Sequence, residues 1–187
     1  MNDEEKKALL ARVSRVLEIP GKAEDIKFAC NHAVARDLMT GFPRPETLML
    51  AIEDEIRRAI RYKHHPTFTV VYVDADDLKE VNDAHGHGAG DQLIKSLALR
   101  LQNGVRSTDL ISRSYEFGDE FMILMPETSY HRARRAMRRI QGLGEDQGLR
   151  FSFGIMEHKE AVDGASMVKL ADQRMRRQKK RRKRAEG

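Results

Sequence analysis

Two acidic clusters in this chain sit where chemistry could use them. Asp119 and Glu120 follow Gly118 and precede the apolar run Phe121-Met122-Ile123-Leu124-Met125. Asp74, Asp76 and Asp77 close a second apolar run, Phe68-Thr69-Val70-Val71-Tyr72-Val73. Carboxylates held close together repel, so either their pKa values rise or a cation neutralises them. Magnesium is held by a few carboxylates together with phosphate oxygens. Acids at the ends of two strands therefore point to metal-assisted phosphoryl chemistry.

The stretch Asp74 to Asp91 adds groups that suit a nucleotide. Asp91 can accept two N–H bonds, from the ring N–H and the amino group of guanine, and adenine offers no such pair. Asn82 can read the same edge. Lys79 can meet a phosphate as a point charge. Gly86, Gly88 and Gly90 lead into a helix expected to open at Asp91, and a helix N-terminus favours an anion. These glycines match neither the dinucleotide fingerprint nor the Walker loop. His64, His65, His85 and His87 lack the spacing of a zinc site. Cys30 has no matched base in the pattern and reads as an inert thiol.

The surrounding periodicity predicts the elements that must hold these residues. Helices are expected over 4–17, about 24–38 and about 46–63. In the last, Leu48, Ile52, Ile56 and Ile60 form an i, i+4 stripe. Residues 68–73 read as a buried strand and 78–83 as a short helical turn. A helix from Asp91 closes at Asn103-Gly104. Residues 109–115 and 120–125 form a hairpin whose tip carries Asp119 and Glu120. A helix over 129–141, a strand over 151–156 and a helix over 165–184 complete the order. This is an α+β layer fold, a mixed sheet with helices packed on it.

Composition sets bounds. The chain has 187 residues, 40% hydrophobic, which suits one domain with terminal decoration. No apolar run reaches the roughly 20 residues of a membrane span. The N-terminus lacks the layout of a signal peptide, and one cysteine fits a reducing compartment, so a cytoplasmic location is expected. Net charge is +5, and Lys179-Lys180-Arg181-Arg182-Lys183-Arg184 accounts for the excess, the remainder being near neutral. This run reads as a solvated helix end or as phosphate-binding cations, and nucleic acid is not the expected partner.

Taken together, these segments resemble the GGDEF domain family of diguanylate cyclases. That family's motif Asp-x-Asp-x-Phe-Lys-x-x-Asn-Asp-x-x-Gly-His-x-x-Gly-Asp runs here from Asp74 to Asp91, with Leu78 at the aromatic position. Asp37-Leu38-Met39-Thr40-Gly41-Phe42 is similar to its Asp-x-Leu-Thr-Gly-Leu entry, Ser152-Phe153-Gly154 to its Ser-x-Gly strand, and Ala171-Asp172 to its last helix. The resemblance covers about residues 36–184. It implies a palm-like central mixed or antiparallel sheet of about five strands, a GGDEF domain over 36–187, and an N-terminal helical extension over 1–35.

The resemblance also implies roles. Asp74, Asp119 and Glu120 would hold magnesium, two ions per site, or manganese, with a backbone carbonyl near Ala75. Glu120, Asp119 and Lys79 would be the catalytic set. Asn82, Asp91 and Gly118 would bind the nucleotide, with Lys179 and Lys183 on its terminal phosphates. The implied reaction joins two GTP into cyclic di-GMP and pyrophosphate, across a two-fold homodimer in which each 3′-hydroxyl attacks the partner's α-phosphorus. Arg106-Ser107-Thr108-Asp109 matches the Arg-x-x-Asp site at which the product inhibits.

Two departures stand out. Phe117 replaces the signature's first glycine, and Ser114-Tyr115-Glu116 includes a two-residue insertion after Arg113. The acids are kept while the loop presenting them is altered. Two functions follow as expectations: a diguanylate cyclase, or a degenerate GGDEF domain that binds GTP or cyclic di-GMP without turnover.

Overall fold

In the computed structural model, residues 36–62, 66–114, 118–145, 149–160 and 163–186 are described. Their elements run α1 (Pro45–Arg61), β1 (Thr69–Ala75), α2 (Leu78–His85), α3 (His87–Gly104), β2 (Leu110–Arg113), β3 (Glu120–Met125), α4 (Tyr130–Glu145), β4 (Phe151–Glu157), a 3₁₀ turn (His158–Glu160) and α5 (Gly164–Glu186). The expected helix over 4–17 lies outside these residues. So does most of the one over 24–38; its end is described at 36–38 and is not helical. There Asp37 accepts hydrogen bonds from the Thr40 backbone N–H (2.9 Å) and hydroxyl (2.7 Å), which favours a turn.

Among the described residues the sheet has four strands, ordered β2-β3-β1-β4, with every neighbouring pair antiparallel. Period-two alternation sorts its side chains. Val71, Val73, Phe121, Ile123, Phe153 and Ile155 enter a core shared with α3 and α4. Val70, Tyr72, Met122, Leu124 and Met156 enter a second core with α1 and α5. β1, β3 and β4 are thus buried on both faces, which is why they read as continuous apolar runs. Fully burying one of these large side chains contributes about 1.5–3 kcal/mol.

Two expectations change at element ends. Ile60 does not complete the stripe of α1, being 78% exposed. A helix drifts round by 3.6 residues per turn, so a strict i+4 row leaves the buried stripe. The second helix after the acidic loop starts at His87 rather than Asp91. Gly86 caps it at φ 81°, and Gly88 and Gly90 then lie within the first turn. Gly154 has a strict packing reason: a Cβ there would stand 2.0 Å from the Ala171 carbonyl oxygen. Only glycine lets α5 lie this close to β4.

Candidate active site

The two acidic clusters meet because β1 and β3 are adjacent. Asp74 pairs directly with Glu120 in the antiparallel register, so both side chains share the face on which α5 packs. Glu120 is the buried first residue of β3, 3% exposed, rather than part of an exposed tip. The Asp119 carbonyl accepts the Ala75 N–H at 3.0 Å, which ties the hairpin end to β1.

Cations of α5 answer these acids. Lys179 Nζ contacts Asp74 Oδ1. Arg176 Nη2 lies 3.9 Å from Glu120 Oε1. Arg182 Nη1 donates to Asp76 Oδ2 at 2.7 Å, and Asp76 also accepts from Ser152 Oγ at 3.0 Å. Tyr72 donates its hydroxyl to Glu120 Oε2 at 2.6 Å. Lys183 Nζ stands 3.9 Å from Glu80 Oε1. Asp74, Arg176, Lys179 and Lys183 line an open cleft of about 600 Å³.

Burial pushes the Asp74, Asp119 and Glu120 carboxyls above the ordinary carboxylate range. Lys179 opposes the rise at Asp74, and the charge of Asp119 adds to it. At Glu120 the Tyr72 hydroxyl opposes it, while Asp74 adds to it. Lys179 itself is desolvated, yet Asp74 holds it above the usual lysine range. We read the pair as charged at neutral pH, since each partner stabilises the other's ion.

A divalent cation fits this corner on one direct observation: Asp119 Oδ1 is buried and has no hydrogen-bond partner. Among the described residues no three acidic, histidine or cysteine side chains converge into a ready cage. Magnesium does not need one, because water and substrate phosphates complete its shell.

Asn82 and Asp91, the pair expected to read guanine, are also brought together. A Cβ at Gly90 would stand 2.0 Å from Asn82 Oδ1, so α2 and α3 touch there, and Asp91 is the next residue. Asn82 Oδ1 is buried without a partner, an acceptor waiting for an N–H donor. Asp91 is exposed. Lys79 is exposed on the first turn of α2 and has no hydrogen bond or ion pair with the acids among the described residues.

The hairpin end has a clamp that sequence reasoning missed. Arg113 donates Nε and Nη2 to the Gly118 carbonyl at 2.9 and 2.6 Å, and its Nη1 lies 3.3 Å from Asp37 Oδ1. Gly118 takes φ 76°, which glycine alone adopts without strain. Tyr115, Glu116 and Phe117 lie outside the described residues. Tyr72, Arg176 and Arg182 were missed as well. The signal for Tyr72 was its place two residues before Asp74, on the same strand face.

Arg106 and Asp109 form a closed turn away from this corner. The Arg106 N–H donates to Asp109 Oδ2 at 2.9 Å, and the Asp109 N–H to the Arg106 carbonyl at 3.0 Å. Burial raises the Asp109 carboxyl, against the Arg106 contacts, and its Oδ1 is buried without a partner. A pocket of about 320 Å³ joins this turn to Arg132, Arg135 and Arg139 of α4.

The antiparallel sheet with helices on both faces defines a palm-like α+β domain. Residues 34–185 match the family described as "Diguanylate cyclase, GGDEF domain", and the chain belongs to that family. It is 30% identical over 153 residues to the diguanylate cyclase DgcP of Pseudomonas aeruginosa, covering 77% of this chain and 22% of that protein. It is 30% identical over 152 residues to DosC of Escherichia coli K12, covering 76% of this chain and 32% of that protein. The chain thus spans a third or less of these relatives' length. The solved GGDEF domain of TpbB (YfiN) from P. aeruginosa superposes with a TM-score of 0.70 at 27% identity, covering 78% of this chain and 89% of that one. Among the described residues no helix is long and apolar enough to cross a membrane.

Proposed function

We propose that this chain is a diguanylate cyclase, condensing two GTP into cyclic di-GMP and two pyrophosphates. The observation that carries the reading is the corner where Asp74 and Glu120 pair across β1 and β3, with Asp119 next to Glu120 in the chain and Lys179 on Asp74 at an open cationic cleft. Each chain holds one GTP, so two chains face each other in a two-fold dimer. Asn82 and Asp91 accept the guanine N–H groups. Lys179 and Lys183 hold the terminal phosphates, Lys179 exchanging its contact with Asp74 for one with the substrate. Lys79 lies at the edge of this set and meets phosphate only from solvent. Each 3′-oxygen forms a bond to the partner nucleotide's α-phosphorus as the bond to pyrophosphate breaks, and its proton leaves to a carboxylate or water.

Asp74, Asp119 and Glu120 are the residues that would hold magnesium or manganese. When bound, such ions lower the hydroxyl pKa and neutralise charge on the leaving group. Glu120, which accepts the Tyr72 hydroxyl, is the carboxylate we assign to take the proton. The Arg106–Asp109 turn, with the arginines of α4, is the place for inhibition by product. Residues 1–35 are read as a regulatory or dimerising extension.

Phe117 favours a second reading, binding of GTP or cyclic di-GMP without turnover, because a side chain there adds bulk where the family has glycine. Incubating the protein with magnesium and GTP and resolving products by chromatography separates the two. Cyclic di-GMP is expected, and a Phe117→Gly variant should make it faster. No product at high protein concentration, with tight GTP binding by calorimetry, would establish the second reading instead.

A further inference from the structure

The outer edge of β4 lies in a groove of about 420 Å³ between α4 and α5. Arg134 and Arg138, one turn apart on α4, line one wall. Arg174, Arg177 and Arg181, on successive turns of α5, line the other. No acidic residue lines it. Arg134, Arg138, Arg177 and Arg181 are exposed and have no ion pair or hydrogen bond among the described residues. Like charges gathered in one recess repel, and among the described residues no acid pairs with these four arginines.

The rest of the groove narrows what can offset them. Three of the outward backbone groups of β4 are already engaged. The Phe153 N–H donates to Gln178 Oε1, the Ile155 carbonyl accepts from Arg174 Nη1 at 2.7 Å, and the Phe151 carbonyl accepts from Gln141 Nε2 at 2.7 Å. A peptide adding as a strand would first have to displace these side chains. Phe153 and Ile155 are 7% and 3% exposed, so the floor has no socket for the apolar anchors of a protein partner. Two rows of guanidinium groups remain, spaced about 5–6 Å along each helix. Such forks bind phosphate oxygens bidentately. Tyr130, partly packed against the core, also lines the groove.

We propose that this groove binds the phosphate backbone of a single-stranded nucleic acid, without sequence readout. The site is separate from the acid corner: its cations lie on the β4 edge, whereas Lys179 and Arg182 of the same helix are engaged by Asp74 and Asp76.

The test is fluorescence anisotropy of the whole chain with labelled oligouridine and oligothymidine of about twenty nucleotides, titrated over a range of potassium chloride. Both should bind, and saturating magnesium–GTP should not displace them. Four arginines contribute about −3 to the slope of log affinity against log salt. The variant R134A/R138A/R177A/R181A should lose that part of the slope and bind at least about 10-fold more weakly at low salt. An R57A/R61A variant, which removes exposed cations of α1, should bind as the parent does. Circular dichroism checks that the variants fold. The fourfold Arg→Lys version should keep the slope while weakening affinity. The proposal fails if the groove variant binds with unchanged affinity and slope, if GTP displaces the oligonucleotide, or if polyglutamate competes as well as oligouridine, which would make the partner an acidic protein.

Discussion

The two faces of α5 carry the same kinds of residue in opposite situations. On one face Arg176, Lys179, Arg182 and Lys183 lie against Glu120, Asp74, Asp76 and Glu80. On the other, Arg177 and Arg181 line a groove with no acid in it. In the sequence these cations form one undifferentiated run. Helical phase separates them, because residues three and four apart share a face and their neighbours do not. The paired face is neutralised in advance, and a substrate must exchange with contacts already made. The unpaired face holds its repulsion until an anion arrives. A charge run on a helix is therefore not one feature, and its meaning depends on which strand ends it passes.

The largest break in this comparison comes from the paired face. Asp74→Asn removes the acid that both anchors Lys179 and is proposed to hold a metal. Cyclic di-GMP formation should fall by about 100-fold or more. A turnover rate within a few-fold of the parent would remove Asp74 from the proposed machinery. Next comes the seating of the helix itself. Gly154→Ala places a Cβ 2.0 Å from the Ala171 carbonyl oxygen and 2.3 Å from the Met175 nitrogen. Backbone cannot yield as a flexible side chain does, so stability should fall by about 3 kcal/mol in urea denaturation. Both faces of α5 should weaken together, in cyclase turnover and in nucleic-acid binding alike. Loss of one alone would mean that the faces do not depend on a common seating.

Much of this was legible before the structure. β1, β3 and β4 announce themselves as unbroken apolar runs, because each is covered on both faces. The order of helices and strands after residue 45 follows from the same periodicity. The helix start at His87 was not legible: glycine ordinarily marks a loop, and here Gly90 is wanted inside a helix to clear Asn82. The acids Asp74, Asp119 and Glu120 could be named from motif spacing. The partners of this corner could not, since Tyr72 and Arg176 reach Glu120, and Arg182 reaches Asp76, only through sheet register and helix packing. Arg113 stood in view just before the altered loop, yet its pairing with Asp37 depends on a turn far off in the chain.

Tyr72→Phe sharpens the paired face by removing a neutral partner and leaving the cations in place. Burial already raises the Glu120 carboxyl, and the Tyr72 hydroxyl works against that rise. Burial and the adjoining Glu120 also hold the phenol well above its usual range, so it remains a donor throughout. Without it Glu120 should protonate more readily, and the acid limb of the pH–rate profile should move to higher pH. Losing a hydrogen bond to a charged group should lower turnover about 10-fold near that limb. An unmoved limb would mean that Glu120 is not the group titrating there.

The smallest effect tests whether the paired face depends on anything outside α5. Asp37 holds Arg113, and Arg113 holds the Gly118 carbonyl just before Asp119. Burial alone would raise the Asp37 carboxyl, but hydrogen bonds from Thr40 and the Arg113 charge leave it below its ordinary 3.8. A depressed carboxyl stabilises the fold above its unfolded pKa, and that contribution is lost as pH falls through the folded value. Asp37→Asn should therefore cost about 1 kcal/mol at neutral pH. The gap from the parent should stay constant down to about pH 4 and close below it. Thermal melts across that range give the gap directly. A gap that instead widens on acidification would mean that Asp37 is not held ionised by Thr40 and Arg113, and that the hairpin end is positioned by α5 and β1 alone.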